Sequence, residues 1–576
     1  MTELLIKSRA SQSSRPLPGL SPSVQRVLHN RGISAPHELE YSLKRLLPPH
    51  SLTNIEAAGT LLADAVMAGA NIVIVGDFDA DGATSCALAV RCLNAFGLSS
   101  VSYLVPNRFE FGYGLSPEIV GVAAMRQPDI LVTVDNGISS VGGVHAAQAL
   151  GMSVLVTDHH LPGEEIPTAD VIVNPNLPGD RFASKNLAGV GVIFYVMLAV
   201  RAELRQQRWF EQQGIAEPNM SHFLDLVALG TVADVVPLDA NNRILVQQGM
   251  QRIRQGAACP GIQALLTVGK RNAARLSSSD LGFAVGPRLN AAGRLDDMSL
   301  GIECLLTDDV DAAMAMALQL DELNQQRRDV ERSMQQDALA IVEQIQIDDD
   351  GDLPAILTLS DPTWHQGVVG LVASRIKERV HRPVVALAPG DNEGEWKGSA
   401  RSVDGIHIRD LLARVDALHP GLITKFGGHA MAAGLSVTDA NLSAFTKALS
   451  TVATELTQGH DWRQIIWTDG ALDAVEFSEE IAEQLRTMTP WGQGFPEPLF
   501  EGEFEVLDAR IVGESHAKLV LRPSVGEQPL DAICFGYLDT HAELPTGTIY
   551  AAFQLDVNEF RDRRTLQLMV KHIHLC

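Results

Sequence analysis

Val154-Leu155-Val156-Thr157-Asp158-His159-His160 is an apolar, β-branched run that ends in a carboxylate and two imidazoles. Its length and composition are those of a buried strand, which puts the polar cluster at the strand's carboxyl end. The pattern occurs twice earlier. Ile72-Val73-Ile74-Val75 leads into Asp77-Phe78-Asp79-Ala80-Asp81-Gly82, and Ile130-Leu131-Val132-Thr133-Val134 leads into Asp135-Asn136-Gly137. In an open parallel α/β sheet the carboxyl ends of neighbouring strands converge on one crevice, so ligands far apart in sequence meet there. The three clusters read as a divided metal site. Carboxylates with imidazole suit Mn²⁺, and Mg²⁺ is the second candidate.

Outward from this stretch, apolar runs at 71–75, 101–105, 130–134, 154–157 and 171–174 alternate with helical stretches such as Thr84 to Phe96 and Val141 to Leu150. That alternation predicts a parallel sheet covered on both faces. The expected layout is an N-terminal arm at 1–50 with a short helix around Val24 to Asn30, then a catalytic α/β domain at 51–307 whose later part is helical. Residues 308–347 carry one long helical pattern, read as a strut. A second parallel-sheet α/β domain, marked by Ala355 to Leu359 and Val384 to Leu387, occupies 348–457. At 458–576, short runs at 504–507, 518–522, 532–534, 548–555 and 565–570 predict a small β-barrel, and this C-terminal domain resembles an oligonucleotide-binding (OB) barrel.

At 576 residues the chain is long enough for three or four domains. No run reaches the roughly 18–20 apolar residues of a membrane span, and Met1 to Arg15 lacks a hydrophobic signal core, so the expected location is the cytoplasm. Cys86, Cys92, Cys259, Cys304, Cys534 and Cys576 show no paired spacing and read as reduced thiols. The net charge of −25 excludes a generally DNA-coating surface. It leaves room for a nucleic-acid enzyme with a local basic groove, because a carboxylate site and acidic loops such as Asp348 to Asp352 lower the sum.

Two look-alikes of the first cluster fail on single positions. An EF-hand loop starting at Asp77 requires glutamate at 88, where Leu88 stands, and a helix ahead of it. An aspartyl-phosphate phosphatase requires threonine or valine at 81, where Asp81 stands. A plain solvated turn is disfavoured, because three carboxylates in five residues repel unless a cation or proton joins them. Asp135-Asn136-Gly137 is also ordinary turn chemistry, and either histidine alone is open to a packing or capping role. Asp234 interrupts the apolar stretch Ala228 to Pro237, where a metal, a partner cation or a helix cap must account for it.

Taken in order, the DxDxDG of 77–82, the DNG of 135–137, the DHH of 158–160 and the GTxADVxPL of 230–238 resemble the motifs of the DHH phosphoesterase superfamily. Gly427-Gly428-His429-Ala430-Met431-Ala432-Ala433-Gly434 resembles the signature of the associated DHHA1 domain. The β-rich C-terminus, Gly286 to Arg294 and Trp364 to Gly370 narrow the resemblance to the bacterial single-strand-specific DNA exonucleases. It covers nearly the whole chain from about residue 50.

The resemblance implies two divalent ions held by Asp77, Asp79, Asp81, Asp135 as the bridge, His159 and Asp234. Two such ions about 3.5–4 Å apart acidify a shared water for in-line attack on phosphorus. It further implies that His160 contacts the scissile phosphate, that Asp158 orients the histidine pair, and that Asp79, Asp81, Asp135 and His159 belong to the catalytic set. For substrate it points to Arg108, Arg288 and Arg294, to a terminal-phosphate pocket at Ser399 and Arg401, and to Gly427, Gly428 and His429. Any one of these arginines is equally open to a surface salt bridge. Tyr113 and Phe109 read as base-stacking or core. Phe560, Arg561, Arg563, Arg564 and Lys571 are candidates for the barrel's groove, and Pro490 to Pro498 reads as a rigid connection rather than a site.

The implied activity is hydrolysis of single-stranded DNA from the 5′ end in recombination and repair, by a monomer that meets a single-strand-binding protein and a helicase. Two other readings stay open. A phosphodiesterase of small molecules or short oligonucleotides has the same domain pair without barrel or strut, and a non-catalytic DNA-binding scaffold is expected to have lost ligands that this chain keeps.

Overall fold

The computed structural model describes residues 4–10, 15–106, 114–345, 353–539, 541–560 and 563–575, with Phe560 and Leu575 described in backbone only. Two compact units emerge: one of residues 6–293, 297–321 and 466–576, and one centred on 322–465.

The first unit is organised around five strands: β1 (Ile72–Val75), β2 (Val101–Leu104), β3 (Ile130–Val134), β4 (Ser153–Thr157) and β5 (Val171–Val173). They pair in the order β2-β1-β3-β4-β5, every pair parallel. Ile72 to Val75 are fully buried because helices cover both faces. On one side Val73, Leu131 and Val154 pack against Ile119, Val120, Val144 and Ala147. On the other, α1 (Ala80–Ala95), α3 (Gly189–Gln206) and α4 (Leu224–Ala233) pack together, while α2 (Val141–Ala149) belongs to the first side. Each such buried aliphatic side chain contributes roughly 1.5–3 kcal/mol. α5 (Ala240–Arg254) and α6 (Gly286–Leu295) continue the helical part.

α7 (Val310–Gln344) is one 35-residue helix, about 50 Å at 1.5 Å per residue. The second unit holds β6 (Leu357–Ser360), α8 (Val369–Val380), β7 (Val384–Pro389), β8 (Glu395–Arg401), β9 (Lys425–Gly428) and β10 (Ala432–Thr438), in the order β9-β10-β8-β7-β6. Here the expectation of a parallel sheet needs correction, because the sheet is mixed. Only β6 and β7 run parallel, across the helical crossover α8; β7–β8, β8–β10 and β10–β9 are antiparallel. The reason is connection length: residues 390–394 and 429–431 are too short for anything but hairpins.

β11 (Phe500–Val512), β12 (His516–Pro523), β13 (Leu530–Cys534), β14 (Thr548–Phe560) and β15 (Arg563–Leu575) close a barrel in the order β11-β12-β13-β15-β14. Phe500, Phe504 and Phe553 fill it. A short helix, Pro22–His29, leads to Arg31, which forms a buried ion pair of 2.8 Å with Asp469. Among the described residues no helix is long and apolar enough to cross a membrane. Cys86, Cys92, Cys259, Cys304 and Cys534 are free thiols, and Cys576 lies outside the described residues.

Candidate metal centre

The order β2-β1-β3 makes the gap between β1 and β3 a switch point, where successive connections leave for opposite faces and a crevice opens beyond the strand ends. Asp77 and Asp79 follow β1, and Asp135 follows β3. Asp79 caps α1, accepting from the N–H groups of Asp81 (2.9 Å) and Gly82 (3.0 Å). The fully buried Asp81 carboxylate accepts from the N–H of Gly189 (2.6 Å) and Val190 (2.9 Å) at the amino end of α3, where the helix dipole favours an anion. A Cβ on Gly189 would fall 2.6 Å from Asp135 Cβ, so only glycine lets α3 approach this closely. Asp135 itself takes a left-handed backbone, φ 61°. Next to it, the Asn136 amide ties the loop to the carbonyls of Val75 (3.1 Å) and Val134 (2.9 Å).

Asp158 organises the histidines. It accepts from the N–H of Ile138 (2.9 Å), His159 (2.7 Å) and His160 (3.0 Å), and pairs with His160 Nδ1 at 2.7 Å. Asn174 and Asn176 hold the carbonyls of His160 and His159 from beyond β5. His159 Nε2 thereby stands 3.1 Å from Asp135, 3.5 Å from Asp234 and 4.0 Å from Asp81. Three groups of ligand atoms result: Asp77 with Asp79 and Asp135; Asp135 with His159 and His160; Asp81 with His159 and Asp234. Asp135 and His159 each belong to two of them.

The carboxylates in this crevice crowd one another. Burial first, and then the neighbouring Asp81, Asp79, Asp234 and Asp77, push the Asp135 carboxyl well above its ordinary range. Asp81 and Asp234 are raised for the same reasons. Asp234 also ends α4, where the dipole repels an anion. His159 Nε2 and Asp234 Oδ2 are buried and make no hydrogen bond among the described residues. Burial and the charge of His160 keep His159 below its ordinary value, the neutral form in which imidazole ligates. Burial opposes the charge of His160, but the hydrogen bond and charge of Asp158 overcome it and lift its pKa to about 9. This donor set fits divalent cations. Bound there, they supply an acidified water and neutralise charge on a phosphate.

A parallel sheet with this strand order, carrying an aspartate-rich turn, an aspartate shared by two ligand groups and an Asp-His-His triplet at its strand ends, defines a DHH-type phosphoesterase. The model of the DHH family, N-terminal domain, matches residues 71–231, the DHHA1 domain 353–456, and the RecJ OB domain 468–572. The chain belongs to the RecJ family. It is 51% identical over 574 residues to the single-stranded-DNA-specific exonuclease RecJ of Escherichia coli (strain K12), covering 99% of both chains. To the RecJ of Dickeya dadantii (strain 3937) it is 52% identical over 560 residues, 97% of both. The crystal structure of RecJ from Thermus thermophilus in complex with Mn²⁺ superposes with a TM-score of 0.79 at 28% identity, covering 99% of this chain and 79% of that one.

In the second unit, cross-strand register gathers the residues expected to hold a terminal phosphate. Ser399 pairs with Gly434, which pairs with Gly427; Ala400 pairs with Ala433, which pairs with Gly428; Arg401 pairs with Ala432, whose carbonyl accepts the His429 N–H at 2.8 Å. Arg401 donates to Ser399 Oγ (2.7 Å) and the Ala400 carbonyl (2.9 Å). No carboxylate pairs with it among the described residues, and burial alone lowers its pKa. A Cβ on Gly370 at the start of α8 would stand 2.8 Å from this guanidinium. Arg294 donates to the Gly367 carbonyl at 3.2 Å.

Arg288 is buried; it donates to the Ala284 carbonyl and pairs with Asp321 at 2.7 Å, while its Nε makes no hydrogen bond among the described residues. Arg108, Phe109, Tyr113 and Arg561 lie outside the described residues, as does the Phe560 side chain. Arg563 is exposed, and Arg564 pairs with Glu483 and Glu559, each at 3.3 Å. Lys571 lines a groove of about 670 Å³ together with Lys270, Arg271, Met569 and Phe283. Phe283 is 75% exposed on the π-turn Leu281–Val285. Sequence reasoning missed it, as it missed Asn174, Asn176 and Asn290, the last of which accepts from the Ala80 N–H at the head of α1. Only the Asn174 signal, a polar residue closing the fifth apolar run, was there to be read.

Proposed function

We propose that this chain is a metal-dependent, single-strand-specific DNA exonuclease that hydrolyses phosphodiester bonds from the 5′ end toward the 3′ end. The observation that carries the reading is the convergence of Asp77, Asp79, Asp81, Asp135, His159 and Asp234 at one switch point, as the holders of two Mn²⁺ or Mg²⁺ ions. His160, charged through Asp158, faces the scissile phosphate. Ser399, Arg401, Gly427, Gly428 and His429 take the 5′-terminal phosphate, supported by an arginine without a counter-carboxylate among the described residues. The resemblance adds Arg294, Arg108 and Tyr113 as further substrate-binding residues, the last two lying outside the described residues. The groove of Phe283, Lys270 and Lys571 receives the single strand beside the barrel. The same reading places the chain in the cytoplasm as a monomer acting in DNA repair and recombination with a single-strand-binding protein and a helicase.

The test is degradation of end-labelled single strands and duplexes with Mn²⁺, Mg²⁺ or chelator. The expected result is early release of the 5′ label from single strands with either ion and none with chelator. Release that begins at the 3′ end, or equal digestion of duplex, overturns the reading.

A further inference from the structure

Asp234 is followed by a four-residue link, Val235 to Leu238, before Asp239 caps α5. Val235 has a left-handed backbone, φ 63°, which a β-branched residue avoids. Such a conformation persists only where its surroundings over-determine it. Three restraints do so here. The Asn242 amide donates to the Pro237 carbonyl at 3.0 Å, and Arg243 donates to the Leu238 carbonyl at 2.8 Å. The Leu238 N–H donates, at 2.7 Å, to the carbonyl of Gln493 near the far end of the chain.

Gln493 sits in a tight reversal in which Gly492 and Phe495 exchange backbone hydrogen bonds of 2.9 and 3.1 Å. The reversal fits closely against the link: a Cβ on Gly492 would lie 2.8 Å from Leu238 Cδ1. The buried Phe495 ring lies 4.3 Å from the Arg243 guanidinium and stacks on Trp491 at 5.3 Å. Trp491 is anchored in turn, its N–H and carbonyl both bonded to Ser278 Oγ. Without the reversal the buried Leu238 N–H has no acceptor and Arg243 loses the ring over its charge. A shift of the link relieves both costs, and that shift moves Asp234.

We propose that the Gly492–Phe495 reversal is a positioning element of the metal centre. It fixes Leu238 and Arg243, and through them the direction in which Asp234 presents its carboxylate to His159 and Asp81. The proposal rests on the reading of Asp234 as a metal ligand, and it gives the Pro490–Pro498 segment a role beyond that of a connection.

The test uses the full-length chain and follows Mn²⁺ binding by electron paramagnetic resonance of the free ion. It adds kcat and KM on single-stranded DNA at rising Mn²⁺, and thermal unfolding. Phe495→Leu is expected to weaken Mn²⁺ binding about 10- to 100-fold, the usual effect of losing support behind a ligand. It should lower kcat at low Mn²⁺, recover in part at high Mn²⁺, and leave KM unchanged. Phe553→Leu, in the barrel interior, is the control for lost stability and should bind Mn²⁺ normally. Normal Mn²⁺ binding by folded Phe495→Leu protein overturns the proposal, and so does an equal loss in Phe553→Leu. If Phe495→Leu does not fold, Gly492→Ala decides by the same two outcomes, since its methyl meets the buried Leu238 side chain at both Cδ1 (2.8 Å) and Cγ (3.3 Å) and must displace it. Asp234→Asn separates the levels. If it binds Mn²⁺ normally, the ligand reading fails; if it binds weakly while Phe495→Leu does not, only the positioning role fails.

Discussion

Asp158 spends its carboxylate on three backbone N–H groups and one imidazole, so it holds the two histidines in place and charges one of them. An asparagine there keeps the shape and loses the charge. Asp158→Asn is expected to cost about 10- to 100-fold in activity. The pKa of His160 should fall from about 9 toward its ordinary value, moving the alkaline limb of the kcat profile to lower pH. An unmoved limb would mean that His160 takes no part. At the other end of the substrate, Arg401→Ala should lower kcat/KM on 5′-phosphorylated strands far more than on 5′-hydroxyl strands, and Arg401→Lys should restore part of the difference, since it supplies charge without the fork. Matched strands differing only in that phosphate settle it; equal losses sink the pocket. The carboxylates that converge in the crevice were legible in sequence because a charge at the end of an apolar run is costly and visible. The ion pair of Arg288 with Asp321 was not legible, because nothing local in the sequence announces a partner 33 residues on.

Strands β1 to β5 and the five barrel strands were legible from β-branched runs, because burial on both faces or alternation on one leaves a clear periodicity. Strand direction in the second sheet was not. Periodicity is blind to direction, although the short Gly390 to Gly394 connection held the answer. The π-turn that exposes Phe283 was hidden for a related reason: inserting one residue in a helix leaves no compositional mark. This element yields its own prediction. Phe283→Ala should weaken binding of long single strands by about 1–3 kcal/mol, the contribution of one stacked base, with little change in salt dependence. Lys571→Ala should reduce the slope of log affinity against log salt by about 1. Titrations by fluorescence anisotropy at several salt concentrations separate the two; identical behaviour on a strand too short to reach the groove is the control, and unchanged affinity on long strands removes the groove from the path.

At the scale of the whole molecule, the crowded carboxylates make stability depend on pH and metal together. Asp81, Asp135 and Asp234 have folded pKa values above their unfolded ones, chiefly through burial, so stability falls as pH rises through the range above about 4. His160 has the same sign: its contribution is present below about pH 6.5 and lost as pH rises through about 9. His159, held low, opposes them, losing stability as pH falls below about 6.5, but it is one group against four. With chelator present, the thermal midpoint should therefore be higher near pH 6 than near pH 9, as measured by calorimetry. Mn²⁺ should raise it more at the higher pH, where protons no longer compete for the ligands. Equal Mn²⁺ shifts at both pH values would contradict the crowding. One further consequence follows from the way residues 6–293 share a compact unit with residues 466–576. On the ribosome the intervening chain is made before that unit can close. At roughly 5–20 residues per second the delay is on the order of ten to forty seconds. A growing chain thus carries every proposed metal ligand long before the Gln493 carbonyl proposed to brace the last of them exists, so that on this reading translation order leaves the centre unbraced until residues 466 onward have been made.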